Sequence, residues 1–309
     1  PLALLGILAL GAYTIQKPND LHRLREVPDL EPMTAHRFVA ERFGDTLGQD
    51  PKTYFVASYG GGLKANLWNL LLLRKLDSLS GRSFFGKTAV LSGVSGGAVG
   101  IANFTSLLHN LPDQQDWSAA IENIGRSNVL SNELTYLLGR DWMLEFIPRQ
   151  LAFGRDRSYR SMEEHARLTG MESYNAVPLP QYWRKVYQNR KGGFPALIFN
   201  TTAVGGTQGV VPSILFPERS FPGAVDITSI LYQKHRAALT FYGGASTTNR
   251  FPLFSPTAKI KGLGNFLDGG YFDNSGMLSA LAAYRTIHGL LEAGSRPGQP
   301  PPASIQPVF

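Results

Sequence analysis

The sequence predicts an α/β protein with a mostly parallel central sheet flanked by helices. Three observations carry that expectation. Short apolar, β-branched runs alternate with helical patterns: residues 53–58 precede a helix starting near Leu63 and reaching Leu79, and residues 88–92 precede one over 98–108. Each strand hands over to its helix through glycines, Gly60-Gly61-Gly62 in the first case and Gly93-Val94-Ser95-Gly96-Gly97 in the second. Of the 309 residues, 43% are hydrophobic and 17% charged, enough apolar material for one large core. Such β–α–β–α alternation argues for parallel strands joined by helical crossovers. Right-handed crossovers then bring both glycine junctions to the same side of the sheet.

Residues 1–16 open with an uncharged apolar run to Tyr13, followed by Lys17, His22, Arg23 and Arg25. The run is shorter than the roughly 20 residues that span a bilayer. Because the chain begins at Pro1, it is expected to be the end of a longer membrane-spanning helix with Tyr13 at the interface. A signal-peptide remnant or a buried core helix are the alternatives. Residues 17–50 read as a connector with one amphipathic helix over 34–47, and residues 51–309 as the main domain. Within it, 113–190 is mostly helical, rich in Arg, Tyr and Trp, and is expected to cover the site as a cap insertion. Arg155, Arg157, Tyr159 and Arg160 of that cap are candidates to face lipid. Strands return at 195–201 and 209–211, a small-residue helix is expected over 235–248, and two short segments at 258–261 and 265–267 lead to Asp268-Gly269-Gly270. A last helix over 277–291 precedes a proline-rich tail. Residues 304–309 have the look of another strand opening, and the chain is expected to continue past Phe309.

Gly93-Val94-Ser95-Gly96-Gly97 at a strand-to-helix junction has the form of a nucleophile elbow, in which a tight turn pushes the serine hydroxyl out of the backbone. Gly93 and Gly97 let the helix and a substrate carbonyl approach closely. Ser95 is thus the candidate nucleophile for acyl transfer through a serine ester. Gly60, Gly61 and Gly62 end a strand and open a helix, where uncovered N–H groups and the helix dipole suit an oxyanion. A phosphate-binding loop is the competing reading, but neither G-x-x-x-x-G-K-[ST] nor G-x-G-x-x-G is met; an ordinary glycine turn is the third. Lys64, one residue past Leu63, is a candidate headgroup contact or a solvated surface lysine. Asp268 ends a strand and is followed by glycines. It can project a carboxylate into a cleft and accept the Ser95 proton, or it can simply make an Asx turn.

Six histidines are scattered along the chain, none at metal-binding helical spacing, and no cysteine is present. Thiol chemistry is excluded, and neither a metal nor any other cofactor is called for. For a three-member triad in the order Ser, acid, His, only His288 follows Asp268, and it falls inside a predicted helix. The net charge of +7 fits a surface meeting anionic lipid headgroups. No nucleic-acid motif or long Lys/Arg run accompanies it.

Taken together, Gly60-Gly61-Gly62-Leu63-Lys64, Gly93-Val94-Ser95-Gly96-Gly97 and Asp268-Gly269-Gly270, in that order, resemble the patatin-like phospholipases. Residues 247–252, Thr-Thr-Asn-Arg-Phe-Pro, resemble that family's small-residue helix with its Phe-Pro turn. The resemblance covers about residues 51–293. It implies a three-layer α/β/α sandwich, lipid acyl hydrolysis, Ser95 as nucleophile, Asp268 as base and Gly60–Gly62 as oxyanion hole. It also implies a phospholipid or other lipid ester as substrate and a membrane surface as the place of work. The chain departs from the family where Tyr59 precedes the glycines and Lys64-Ala65 replace an Arg-Gly pair; lysine lacks the bidentate geometry of arginine. A His-dependent esterase or thioesterase on a similar elbow, and a membrane scaffold without turnover, are the rival readings.

Overall fold

The computed structural model of the chain describes Leu2, Gly6 and residues 23–28, 31–43, 52–111, 117–140, 156–171, 176–252, 254–294 and 306–308. The strands are β1 (Glu26–Pro28), β2 (Lys52–Ser58), β3 (Thr88–Val94), β4 (Ala196–Ala203), β5 (Gln208–Pro212), β6 (Val225–Asp226), β7 (Ala237–Leu239), β8 (Ala258–Ile260), β9 (Gly264–Asp268) and β10 (Gln306–Val308). The helices are α1 (Ala35–Phe43), α2 (Gly62–Leu79), α3 (Phe84–Lys87), α4 (Ser95–Asn110), α5 (Ser118–Arg126), α6 (Val129–Thr135), α7 (Arg157–Leu168), α8 (Leu179–Asn189), α9 (Ile227–His235), α10 (Phe241–Thr248) and α11 (Met277–Gly294).

The fold is mixed α/β around one eight-stranded sheet in the order β10-β2-β3-β4-β5-β6, with β9 on β4 and β8 on β9. β10, β2, β3 and β4 run parallel, whereas β5 and β9 join β4 antiparallel. All seven residues of β3 are buried, the signature of a parallel strand covered on both faces. The expected β–α–β–α unit is therefore present, and the short run near the C-terminus does add a strand, paired in parallel with β2.

The small residues of α4 have a packing reason. A methyl on Gly100 would sit 2.6 Å from the Asn66 carbonyl oxygen of α2. The two helices that follow the two glycine junctions thus pack backbone to backbone. That contact carries the start of α2 toward the start of α4.

The stretch 235–248, expected as one helix, holds the last residue of α9, the strand β7 and the helix α10. Arg236 caps α9 in the left-handed region (φ 49°), and Thr240 caps α10, its hydroxyl accepting the Gly243 N–H. Between them β7 pairs antiparallel with β1, a strand inside the stretch read as connector. Pairing across some 200 positions overrode local periodicity, which three residues are too few to reveal. α1 spans part of the helix expected over 34–47, and residues 44–51 lie outside the described ones. Apart from Leu2 and Gly6, so does the apolar segment 1–16. Among the described residues no helix is long and apolar enough to cross a membrane.

Gly100→Ala should lower stability by about 1–3 kcal/mol, because the Asn66 carbonyl is backbone and cannot step aside like a flexible side chain. A urea titration checks it, reading a lower midpoint at unchanged slope.

Candidate active site

β3 and β9 meet end to end against β4. Val90–Val94 of β3 lie opposite Ala196–Asn200, and Asp268 of β9 lies opposite Thr201, the next residue along. β5 occupies the other edge of β4 through the same Thr201 and Thr202. β9 therefore continues the edge that β3 vacates when it turns into α4. Ser95 is the first residue of α4 and Asp268 the last of β9, so the two are forced together. The Ser95 hydroxyl donates to Asp268 Oδ2 at 2.6 Å.

Ser95 adopts φ 49°, a conformation that costs a residue with a side chain about 1–2 kcal/mol. Its N–H donates to Thr248 Oγ1 at 2.7 Å, which helps hold the turn. The elbow glycines are sterically required. A methyl on Gly93 would lie 2.7 Å from the Ala98 Cα, and one on Gly97 would meet the Ser58 carbonyl oxygen at 2.8 Å. Asp268 both bonds to Ser95 and makes an Asx turn. Its Oδ1 accepts the Gly270 N–H at 2.8 Å in an Asx turn, which leaves Oδ2 for the serine. Its own N–H donates to the Arg250 carbonyl and its carbonyl accepts from Thr202. Burial pushes the Asp268 carboxyl above the usual carboxylate range, while the hydrogen bonds from Ser95 and Gly270 pull it back in part.

The glycine loop reaches the elbow. A methyl on Gly60 would lie 3.1 Å from the Ser95 Cβ, and Gly62, with φ 59°, presses its carbonyl against Gly96. The three glycines do not contribute alike, however. The Gly60 N–H is already spent on the Asn274 carbonyl at 3.0 Å, so Gly60 positions the loop and does not serve as a free donor. Gly61 and Gly62 open α2 without a side-chain cap, and helix starts leave such N–H groups unbonded. The Gly96 N–H, in the first turn of α4, is a further donor next to Ser95.

A cavity of about 200 Å³ opens on Ser95, Asp268, Gly62 and Gly96. Its apolar lining includes Leu63, Val99, Leu130, Phe251 and Phe254; Asn66, Glu133, Ser161, His165 and Asn249 supply polar groups. Glu133 belongs to α6, and Ser161 and His165 to α7, so both of these helices line the cavity. The rings of Phe254 and Tyr271 flank Phe251 at 6.5 and 6.0 Å, each of the three about half exposed.

Several candidates fall elsewhere. Lys64 stands exposed on the first turn of α2, outside the cavity lining. Arg157 and Tyr159 are buried and cannot face lipid: the Arg157 guanidinium donates to the Phe254 carbonyl beneath the aromatic rim. Arg160 pairs with Glu163, and Arg155 lies outside the described residues. His288 is half-buried on α11 beside Glu292 and does not line the cavity.

The histidine that does line it is His165, which sequence reasoning did not single out. Its Nδ1 faces the Asn103 amide nitrogen at 3.1 Å; that amide also donates to Asn66 and accepts from Tyr242. An amide nitrogen can only donate, so His165 carries its proton on Nε2. Burial lowers its pKa to about 4, which makes it a neutral donor and a poor base. Thr248 and Asn274 were also missed as positioning groups; a lone hydroxyl and a lone carbonyl leave no spacing signature.

No protein-family model, curated protein or solved structure matches the chain. What the structure shows is the geometry itself: a carboxylate bonded to a serine at a strand-to-helix turn, beside the start of a second helix.

Ser95→Gly should be more stable than Ser95→Ala by about 1 kcal/mol, because glycine relieves the left-handed turn and alanine does not. Paired thermal melts check it; equal midpoints would mean that the turn is unstrained.

Proposed function

We propose that the chain is a serine lipid acyl hydrolase of patatin-like type, with a three-layer α/β/α architecture, working at a membrane surface. The observation that carries the reading is the 2.6 Å bond between Ser95 and Asp268, made in a cavity that Gly62 and Gly96 also line. Asp268 takes the Ser95 proton as the hydroxyl oxygen attacks the ester carbonyl. The N–H groups of Gly61, Gly62 and Gly96 receive the negative charge that develops on the carbonyl oxygen. Each such donor is worth about 3–4 kcal/mol of barrier. Asp268 passes the proton to the leaving alcohol oxygen, and the acyl group stays on Ser95. A water then gives its proton to Asp268, attacks the acyl carbonyl and releases the acid, and the proton returns to Ser95.

A carboxylate that accepts a proton from an alcohol needs help, since its ordinary pKa of about 3.9 makes it a weak base. Burial supplies part of that help by raising it, and the oxyanion donors supply the rest. The half-exposed rings of Phe251, Phe254 and Tyr271 at the cavity mouth support a lipid as substrate, as does the net charge of +7 against an anionic surface. His165, as a neutral donor held by Asn103, gives no support to a His-dependent mechanism.

The test is hydrolysis of short-chain glycerol and p-nitrophenyl esters by the wild type, Ser95→Ala and Asp268→Asn. Each variant should lose about 10³-fold or more in kcat. The sign of the pH dependence follows from Asp268. As pH falls through its raised pKa the carboxylate gains a proton and can no longer take one from Ser95. The acid limb of kcat/KM should therefore lie above the ordinary aspartate value of 3.8. Wild-type activity equal to that of both variants would remove the proposal.

A further inference from the structure

The buried wall of the cavity beside Ser95 is polar apart from Val99 and Val129. Asn66, Glu133, Ser161 and His165 are each at most 5% exposed, and all four line it. Their internal bonds do not use them up. The Asn66 carbonyl oxygen accepts from Asn103, and no acceptor among the described residues meets its amide N–H groups. His165 Nδ1 is occupied by Asn103, so Nε2–H is the side still to be satisfied. Glu133 accepts one hydrogen bond, from Ser255. Ser161 bonds to no side chain or carbonyl among the described residues, and Asn249 Oδ1 is buried with no partner. Buried polar groups in native proteins are nearly all satisfied, so a cluster left open around one cavity marks a ligand with hydrogen-bonding groups of its own. A hydrocarbon chain in this cavity would displace water from every one of them and replace none of the bonds.

The rim has the opposite chemistry: Leu63, Leu130, Phe251 and Phe254 are each 40–52% exposed and offer an apolar surface continuous with the opening. Resting on the acyl-hydrolase reading, we propose that the two halves of the ester part company at Ser95. The hydroxyl-bearing alcohol enters the buried cavity against Asn66, Glu133, Ser161 and His165, and the acyl chain lies outward along the aromatic rim. Asp268, which also lines the cavity, is then on the alcohol side, where the leaving oxygen needs its proton. The substrate class is an acyl ester of a short polyol, glycerol being the simplest.

The experiment compares two esters with the same acyl chain, glycerol monobutyrate and butyl butyrate, by kcat/KM on the full chain. A second pair, p-nitrophenyl 3-hydroxybutyrate and p-nitrophenyl butyrate, puts the hydroxyl on the acyl side. The wild type should favour the glycerol ester by about ten-fold or more and show no preference within the second pair. Ser161→Ala removes a hydroxyl with no internal bond to lose and should shrink the glycerol preference several-fold, mainly through KM. His165→Gln, which keeps a donor, should retain more of the preference than His165→Phe. Equal rates within the first pair, or a hydroxyl preference only in the second, would overturn the assignment. Failure of the hydrolase reading itself looks different: no ester of either pair would be cleaved above the Ser95→Ala background.

Discussion

The site depends on a constraint of the sheet. One edge of β4 is shared by two strands that arrive from opposite directions, β3 up to Asn200 and β9 from Thr201 onward. Where β3 stops, the chain turns through Ser95 into α4; where β9 stops, it ends on Asp268. Hydrogen-bond register along β4 thus sets the distance between two side chains 173 positions apart. A sheet ladder is a stiff ruler. A slip of one residue would turn Asp268 to the opposite face and remove its carboxylate from the serine.

A second element locks what the sheet aligns. The segment that ends α10 touches both partners: Thr248 accepts the Ser95 N–H, and the Arg250 carbonyl accepts the Asp268 N–H. Arg250 is itself fully buried. Its guanidinium pairs with Asp156 at 2.7 Å and bonds to Ser246 and the Pro256 carbonyl. Pairs of this kind add little net stability against an apolar alternative, but losing one partner strands a charge and costs about 3–5 kcal/mol. Here the pair fixes geometry. It ties the start of α7, through Asp156, to the backbone that holds Ser95 and Asp268. Arg157 and Glu133 extend the same anchoring to the Phe254-Ser255 segment under the aromatic rim.

Much of this was legible in the residues. The elbow, the glycine loop and Asp268-Gly269-Gly270 each carry a local signature, because each needs glycine at a fixed offset for a steric reason that the structure makes explicit. Strands β2 to β5 were legible as apolar runs bounded by turns, whereas β6, two half-buried residues, was not. What escaped had no local cause. β7 exists because β1 pairs with it, and neither is long enough to show a period. His165 sits in a polar, charge-rich helix and becomes a cavity donor only because Asn103, on another helix, holds its Nδ1. Gly60 has the composition of an oxyanion donor, yet Asn274, 214 positions later, takes its N–H. Arg157 and Tyr159 read as surface residues by type and are buried by their neighbours.

The central claim, that Asp268 makes Ser95 a nucleophile, is tested most directly by covalent labelling with a fluorophosphonate. The rate of labelling and the site of the adduct are read by mass spectrometry of proteolytic fragments. Labelling should fall on the peptide carrying Ser95, should slow as pH drops through the raised Asp268 pKa, and should be nearly absent in a folded Asp268→Asn variant. An adduct elsewhere, or undiminished labelling of Ser95 in Asp268→Asn, would contradict it.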